Sequence, residues 1–445
     1  MLSVSLPDTL AALLTVLAPC FTARTFPTFQ ALVAGFLVQP GLRTVTGMLT
    51  GAGLAGRRHH DLAYRFFATA RWSADQVGLL LLDLITQTLV PVGAPIVLAV
   101  DDTLWRRTGR KLHGTAWHHD GNGPARHRPA WGHRWVVVGV ICRPPFMRRA
   151  VCLPILARLW IPGDPDHTPL VLARELLDLV VEHVGKRPIH LVGDAAYIGK
   201  PLQALPAQVT VTARLRCDAA LYQPAPPPTG RRGRPRVKGD RLPELVVLAA
   251  MTRYRWTPVQ VRCYATTLER EVLAIRCQWY GALKAQPVQV VLSRPVGSPD
   301  GYELALVTTD LAATPAQVIE RYSHRWAAET AFLDARHLAG VGQARTRTER
   351  SVTRLVPFGL VCLSLAIVWY ARHGQPARDL AAHVPARPGI APSAPSRSPT
   401  CSPRCAVPYW PPNISRVTLT CTASTYSQTC CSPDSTPPHN PETRE

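Results

Sequence analysis

The sequence predicts a mixed α/β fold, and three observations lead to that expectation. Short continuous apolar runs bounded by turn residues cover residues 96–100, 135–142 and 150–155, as in buried strands. An amphipathic helix pattern then occupies residues 168–184, and two further strand-like runs follow it. Before the first strand, apolar residues recur every three or four positions, which is the helical period. We therefore expect N-terminal helices followed by a mixed sheet.

Residues 1–92 are predicted to form an N-terminal helical domain. Apolar residues at helical spacing cover residues 29–38, 62–69 and 74–89. The segment from Gly51 to Gly56 matches a dinucleotide-binding loop in its letters, but the sequence before it is too short for a buried strand. We predict a loop between helices at these glycines.

Residues 93–216 are predicted to contain the first part of the sheet. Three strands come first, and the helix that follows begins at Thr168-Pro169, an N-cap residue followed by a first-turn proline, and ends before Gly185. A fourth strand over residues 188–192 ends at Gly193-Asp194, and a fifth covers residues 209–215 after a short helix.

Residues 217–310 are predicted to be a β-rich insertion with a basic loop. Residues 223–240 are rich in proline, glycine and basic residues and cannot bury a core, so we expect a loop there. Strand-like runs follow at residues 245–250, 259–267, 271–278, 289–292 and 303–308. Residues 311–372 return to the sheet domain with one helix that runs from Thr314-Pro315 to Gly340.

The charge of the chain indicates a polyanionic partner. Lys and Arg number 50 against 29 Asp and Glu, which gives a net charge of +21. Such a balance suits nucleic acid or an anionic membrane surface. The longest apolar stretch, residues 355–370, is shorter than the roughly 20 residues of a membrane helix. We therefore expect a soluble, intracellular protein without a membrane partner.

Acidic residues stand at three positions where a charge is costly. Asp101 and Asp102 follow the first strand, Asp194 follows the fourth, and Glu329 lies on the last helix. Singly, each could start a turn or cap a helix. Together, in a basic protein, they suit a site in which carboxylates converge on two Mg²⁺ ions for phosphodiester chemistry.

The helix that contains Glu329 carries the most specific pattern. At 100° per residue, Tyr322, Arg325, Glu329 and Arg336 fall on one narrow face. A salt-bridged amphipathic helix is the simpler explanation of this face. A carboxylate among guanidiniums and a phenol nevertheless suits a metal and phosphate site better than a core.

Three motifs resemble those of the DDE transposases of bacterial insertion sequences, in the branch with a DDE superfamily endonuclease domain. They are Val100-Asp-Asp-Thr103, Val192-Gly-Asp-Ala-Ala-Tyr197 and Tyr322-x-x-Arg-x-x-x-Glu329. In the family signature, six residues separate the glutamate from a following lysine, and Arg336 occupies the lysine position here. The resemblance extends over residues 32–370 and implies an RNase H-like mixed sheet, which residues 93–216 and 311–372 would form together as a catalytic domain.

The resemblance also implies the site and the reaction. Asp101, Asp194 and Glu329 would be the catalytic, metal-binding triad for two Mg²⁺ ions, with Mn²⁺ as a substitute. We favour Asp101 over Asp102 because the position after the first aspartate varies in the family that the sequence resembles; a swap would move the ligand to the other face of the strand. Tyr322, Arg325 and Arg336 would hold the DNA backbone. The implied reaction is cleavage at the transposon end and attack of the freed 3′-hydroxyl on target DNA.

The implied partners are double-stranded DNA, as transposon inverted repeats and as target, and a second copy of the chain in a homodimeric DNA complex. Residues 1–92 would bind the DNA ends. The implied location is the bacterial cytoplasm, in association with the nucleoid. Arg106, Arg107 and Lys111 follow the first acidic pair and are predicted to line the DNA path. Arg232 and Arg234 have the spacing of an Arg-Gly-Arg minor-groove hook, although a solvated basic loop explains them equally well.

Residues 373–445 are predicted to be a linker and a disordered tail. After Ala386 the composition changes to proline, serine, threonine and cysteine, and periodicity is lost. Residues 388–410 can be encoded by GC-favoured codons whose frame two nucleotides later encodes a basic amphipathic helix. We therefore predict a frameshift near residues 386–388, which the gene's nucleotide sequence would test. Two other functions stay open: a non-catalytic DNA-binding transposase remnant, and a host RNase H-like nuclease.

Overall fold

The protein forms a mixed α/β fold with one large sheet. The computed structural model describes residues 6–120, 129–227, 235–264, 266–298 and 301–381. Within these ranges the helices are α1 (Asp8–Thr15), α2 (Phe26–Val38), α3 (Val45–Gly51), α4 (Asp61–Ala68), α5 (Ala74–Leu89), α6 (Pro169–Val184), α7 (Leu245–Ala250), α8 (Tyr280–Leu283), α9 (Pro315–Ser323), α10 (Trp326–His337), α11 (Glu349–His373) and α12 (Pro376–Ala381). The strands are β1 (Ile96–Arg106), β2 (Ala116–His119), β3 (Pro129–Cys142), β4 (Val151–Trp160), β5 (Ile189–Gly193), β6 (Val209–Arg214), β7 (Thr257–Cys263), β8 (Thr266–Gln278), β9 (Pro287–Pro295) and β10 (Leu304–Thr308).

The sheet contains both antiparallel and parallel pairs. Its order is β2-β3-β1-β5-β6-β10-β9-β8-β7, and β4 pairs with β3. β1 is antiparallel to β3 and parallel to β5, and β5 is parallel to β6. Helix α6 supplies the crossover between the antiparallel strands and β5, as a parallel connection requires. The mixed sheet and the N-terminal helices are thus confirmed.

The strands of the predicted insertion do not form a sheet of their own. β10 pairs antiparallel with β6, and β9, β8 and β7 continue the same sheet outwards. This pairing covers the edge of β6, which would otherwise expose unpaired backbone groups. The predicted β-rich insertion thus contributes four strands, β7 to β10, and these strands extend the central sheet.

Local predictions succeeded where caps or long periodic segments defined them. The Thr168 hydroxyl accepts a hydrogen bond from the Val171 amide, and Gly185 has φ of 62° at the end of α6. The segment predicted as a strand at residues 245–250 is instead the helix α7, since an apolar run of six residues does not separate the two states. The helix predicted over residues 314–340 is two helices, with a break at His324 and Arg325.

Helix α11 lies in the centre of the core. It contacts β4 on the sheet and α1, α2, α4 and α5 among the N-terminal helices, so helices and sheet share one hydrophobic cluster. By length and composition it could cross a membrane, but most of it is buried within the protein, as in the core helices of soluble proteins. Its 25 residues exceed the apolar stretch that the sequence indicated.

Candidate active site

The first acidic pair lies within a strand. β1 continues to Arg106, and its ladder with β3 pairs Asp101 with Val137 and Asp102 with Val136. The expectation that the strand ends at Val100 is wrong, because pairing with β3 extends it beyond the apolar run. Successive side chains of a strand point to opposite faces, so the two carboxylates have different surroundings.

Asp101 is almost fully buried. Its Oδ1 accepts a hydrogen bond from the Asp102 amide at 2.9 Å, and its Oδ2 accepts one from the Arg325 guanidinium at 2.7 Å. Burial raises the pKa of Asp101 to about 7; the negative charges of Asp194 and Asp102 act in the same direction, and Arg325 opposes them. The proximity of these charges means that Asp101 and Asp194 belong to one electrostatic site.

Asp102 has protein partners for both of its oxygens. Oδ2 forms an ion pair with Arg134 on β3, and Oδ1 accepts a hydrogen bond from the Tyr197 hydroxyl at 2.9 Å. Tyr197 is fully buried, and burial together with Asp102 keeps the pKa of its phenol well above the ordinary value. These contacts connect the Asp102 side of β1 to the turn after β5.

Asp194 follows β5 directly. Because β5 runs parallel to β1, with Val192 opposite Ala99, the end of β5 lies beside the middle of β1. The Asp194 carboxylate accepts a hydrogen bond from the Ala196 amide at 2.7 Å within a turn, so the explanation of Asp194 as a helix cap is wrong. Asp194 also lines the cavity that Asp101 borders, so it has both a local structural role and access to the site.

Helix α10 brings the third carboxylate to this cavity. The Arg325 guanidinium donates to Asp101 at 2.7 Å and to Glu329 at 2.6 Å, so one cation bridges the two carboxylates. Arg336 donates to the Thr103 hydroxyl at 3.1 Å and to the Leu104 carbonyl at 3.0 Å, which holds α10 against β1. The predicted ion pair between Arg325 and Glu329 is therefore present, but the predicted single helix face is not, because Tyr322 lies on α9, before the break.

The remaining predicted residues divide into three groups. Arg106, which pairs with Asp120 at 2.6 Å, and Arg107 line the cavity. Tyr322 lies at the end of α9 with its ring 5.8 Å from the Arg325 guanidinium carbon, and neither it nor the exposed Lys111 borders the cavity. Arg232 and Arg234 lie outside the described residues.

Two residues of the site carried no role in the sequence prediction. Arg134 lies on β3 just before an apolar run, and only the register of β3 against β1 places it beside Asp102. Trp326, the first residue of α10, lines the cavity and is 42% exposed. Tyr197 ends the motif Val192-Gly-Asp-Ala-Ala-Tyr197, and its place in that motif was the sequence signal that could have pointed to its contact with Asp102.

The cavity has room and oxygen donors for a hard cation. Its volume is about 1050 Å³, and Asp101, Asp194 and Glu329 all line it. Carboxylates are the donors that Mg²⁺ prefers, so the donor set fits the ion by type. In the described part of the chain, no three acidic, histidine or cysteine side chains meet closely enough to hold one ion together. The Arg325 guanidinium supplies positive charge between two of the three carboxylates.

Comparison with known proteins gives the family. The family model described as DDE superfamily endonuclease matches residues 16–268, more than half of the chain. Among solved structures, the cryo-EM structure of a piggyBac transposase synaptic complex with hairpin DNA is similar with a TM-score of 0.38 and 11% identity, over 83% of this chain and 73% of that one. No curated protein sequence matches the chain significantly. On the family match, the chain belongs to the DDE superfamily endonuclease family.

Proposed function

We propose that the protein is a transposase that cleaves DNA at transposon ends and joins the freed 3′ ends to target DNA. The observation that carries this proposal is the convergence of Asp101, Asp194 and Glu329, from three distant parts of the sequence, on one cavity. Arginines border the same cavity and suit a phosphate backbone. They are Arg106, Arg107, Arg134, Arg325 and Arg336.

An RNase H-like core is part of the proposal. Three antiparallel strands, a crossover helix and two strands parallel to the first lie in the order β4-β3-β1-β5-β6. The resemblance implied this order, with the acids on the first strand, after the fourth and on a later helix. The strand order therefore supports an RNase H-like catalytic domain.

Asp101, Asp194 and Glu329 would hold the metal, Mg²⁺ or Mn²⁺, as two ions. When bound, such ions activate the attacking oxygen and stabilise the leaving oxygen of an in-line displacement. Arg336 keeps Glu329 aligned with Asp101 through its contacts to β1. Arg325 lies between the carboxylates, where its guanidinium can bind the scissile phosphate, and Arg106 and Arg107 can bind phosphates at the mouth of the cavity.

The partners proposed for this activity are double-stranded DNA, as inverted repeats and as target, and a second copy of the chain in a homodimeric complex. The net charge of +21 supports a nucleic acid partner. No membrane partner is proposed, and the location proposed is the bacterial cytoplasm with the nucleoid.

Nicking of duplex DNA that carries the inverted repeats beside the gene tests the proposal. With Mg²⁺, Asp101→Asn, Asp194→Asn and Glu329→Gln should each lower the nicking rate at least about 100-fold, because each removes stabilisation of developing charge. Asp178→Asn, on the exposed face of α6, is the matched control and should keep the activity. Nicking that is unaffected by Asp194→Asn, or that persists in EDTA, would contradict the assignment.

A non-catalytic DNA-binding remnant is the second candidate. The observation that favours it is the change of composition after Ala386. Binding to the inverted repeats without any Mg²⁺-dependent nicking would support it. A host nuclease, the third candidate, predicts that no inverted repeats flank the gene.

A further inference from the structure

A second cavity lies next to the candidate active site. Its volume is about 460 Å³, and it is enclosed by α2, α3, the segment after β1, the loop between α10 and α11, and the start of α11. Arg106, Arg107, Gly342 and Gln343 line both cavities, so the two spaces adjoin. We call this second space the Arg345 pocket.

The Arg345 pocket concentrates positive charge. Among the described residues that line it, five are arginines and none is acidic: Arg43, Arg106, Arg107, Arg345 and Arg347. Burial lowers the pKa of the Arg107 guanidinium, and the charge of Arg345 adds to that effect. Arg106 pairs with Asp120, which belongs to the active-site cavity. Cations gathered in this way favour an anionic ligand.

The opposite wall of the pocket is apolar. Leu42, which is 64% exposed, and the half-buried Leu112 supply its accessible surface, whereas Phe36, Met48, Val356 and Phe358 also line the pocket but are almost fully buried. A small inorganic anion would contact the arginines and leave Leu42 and Leu112 exposed to water. A ligand with one phosphate and a flat apolar part would use both walls, and the volume lies within the range of small-ligand pockets.

The loop that carries the arginines is held in place. Arg107 donates to the Gly342 carbonyl, the Arg43 amide donates to Gln343 at 2.8 Å, and the His113 amide donates to the Arg347 carbonyl at 3.0 Å. Gly342 has φ of 88°, and a Cβ there would lie 2.7 Å from the Trp105 ring. The arginines are therefore presented from a fixed backbone, which lowers the entropy cost of binding.

We propose that the Arg345 pocket binds a nucleotide, with the phosphate on the arginines and the base against Leu42 and Leu112. The nucleotide is either an unpaired residue of the strand in the adjoining cavity or a free nucleotide. An unpaired residue of a DNA strand as the ligand rests on the proposed function, whereas binding of a nucleotide in the pocket does not require DNA cleavage. The pocket adds a ligand site that the three carboxylates do not form.

Binding is measured with the full chain in EDTA, so that catalysis cannot contribute. The probes are dAMP and inorganic phosphate by calorimetry, and two duplexes by fluorescence anisotropy, one fully paired and one with a single unpaired 2-aminopurine. We expect dAMP to bind at least about 10-fold more tightly than phosphate, or the unpaired duplex to bind about 10-fold more tightly than the paired one. Tighter binding of dAMP identifies a free nucleotide as the ligand. Tighter binding of the duplex with the unpaired base identifies a nucleotide of a DNA strand as the ligand.

The double variant Arg345→Ala/Arg347→Ala should abolish this preference. Both side chains are exposed at the rim, so the fold is expected to survive. Arg57→Ala/Arg58→Ala removes the same charge from exposed positions outside the pocket and should keep the preference. Leu112→Trp narrows the pocket. It should lower the affinity for dAMP towards that for inorganic phosphate, while the binding of phosphate persists.

Equal affinity for dAMP and phosphate together with equal affinity for the two duplexes overturns the proposal. So does a preference that the Arg345→Ala/Arg347→Ala variant retains. Failure of the transposase proposal has a different signature, because Mg²⁺-dependent nicking would then be absent while the nucleotide preference remained.

Discussion

Arg325 is the cation that Asp101 and Glu329 share. Its side chain is 14% exposed, and its Nε is buried without a described hydrogen-bond partner. Two carboxylates at one guanidinium repel each other once that charge is removed. The sequence predicted the pairing with Glu329 from helical spacing, but the bridge to Asp101 depends on how α10 packs against β1.

Removal of Arg325 should therefore cost stability that a divalent cation can restore. Arg325→Ala is expected to lower the free energy of unfolding by about 3 kcal/mol without metal, because it leaves a buried carboxylate uncompensated. Millimolar Mg²⁺ should recover part of this loss by supplying positive charge. Urea unfolding with and without Mg²⁺ measures both effects. Arg174→Ala on α6 is the control, and equal responses to Mg²⁺ in the two variants would refute the prediction.

His190 provides a pH prediction that is independent of the acidic site. It is buried on β5, and its ring nitrogens lie 2.7 Å and 3.0 Å from the hydroxyls of Thr210 and Thr212. Burial lowers the pKa of His190 to about 4 from 6.5, and Arg321 adds to that shift. Below pH 6.5, His190 is protonated in the unfolded chain but stays neutral in the folded chain. Stability therefore falls as the pH drops from about 6.5 towards 4.

Between pH 7 and pH 5, the wild-type protein should lose about 2 kcal/mol more unfolding free energy than His190→Gln. Urea titration of both proteins at the two pH values gives this difference. Burial also lowers the pKa of His133 to about 4, but His133 is present in both proteins and cancels. The same loss in both proteins would mean that His190 does not titrate as described.

At the scale of elements, the sequence predicted what local chemistry determines. The bounds of α5, the Thr168 cap of α6 and the helix at Thr314-Pro315 follow from periodicity and capping. The length of β1 and the break before α10 do not, because pairing with β3 and packing on the sheet decide them. The same holds for the site: the acidic residues were visible in motifs, whereas Arg134 reaches Asp102 only through strand register.

Arg354 connects α11 to the N-terminal helices. Its guanidinium donates to the carbonyls of Phe67, Ala70 and Trp72, and its central carbon lies 4.7 Å from the Trp72 ring. Arg354→Met should lower the free energy of unfolding by about 2 kcal/mol or more, because three carbonyls lose a charged donor. Arg350→Met, one turn earlier and exposed, should have little effect in the same thermal or urea unfolding experiment. A similar loss in both variants would exclude this role for Arg354.

The whole molecule is organised around a core that joins the N-terminal helices to the sheet. Phe29, Phe36 and Phe67 contact Phe358 of α11 in edge-on ring geometry, at centroid distances of 6.1, 6.0 and 5.3 Å. Helix α11 packs against β4 on its other side. Periodicity within each helix revealed its apolar face but not the face that would cover it.

This shared core predicts that the protein unfolds as one unit. Calorimetry of the full chain should give a single transition, and a chain that begins at Gly93 should fail to fold as a soluble monomer, because its loss of α2, α4 and α5 exposes the apolar surface of α11. Deletion of residues 382–445 is the control. The composition of those residues predicts no packed core, so the midpoint should change by less than about 2 °C. Two separate transitions, or a folded and soluble chain from Gly93, would show instead that residues 1–92 form an independent domain.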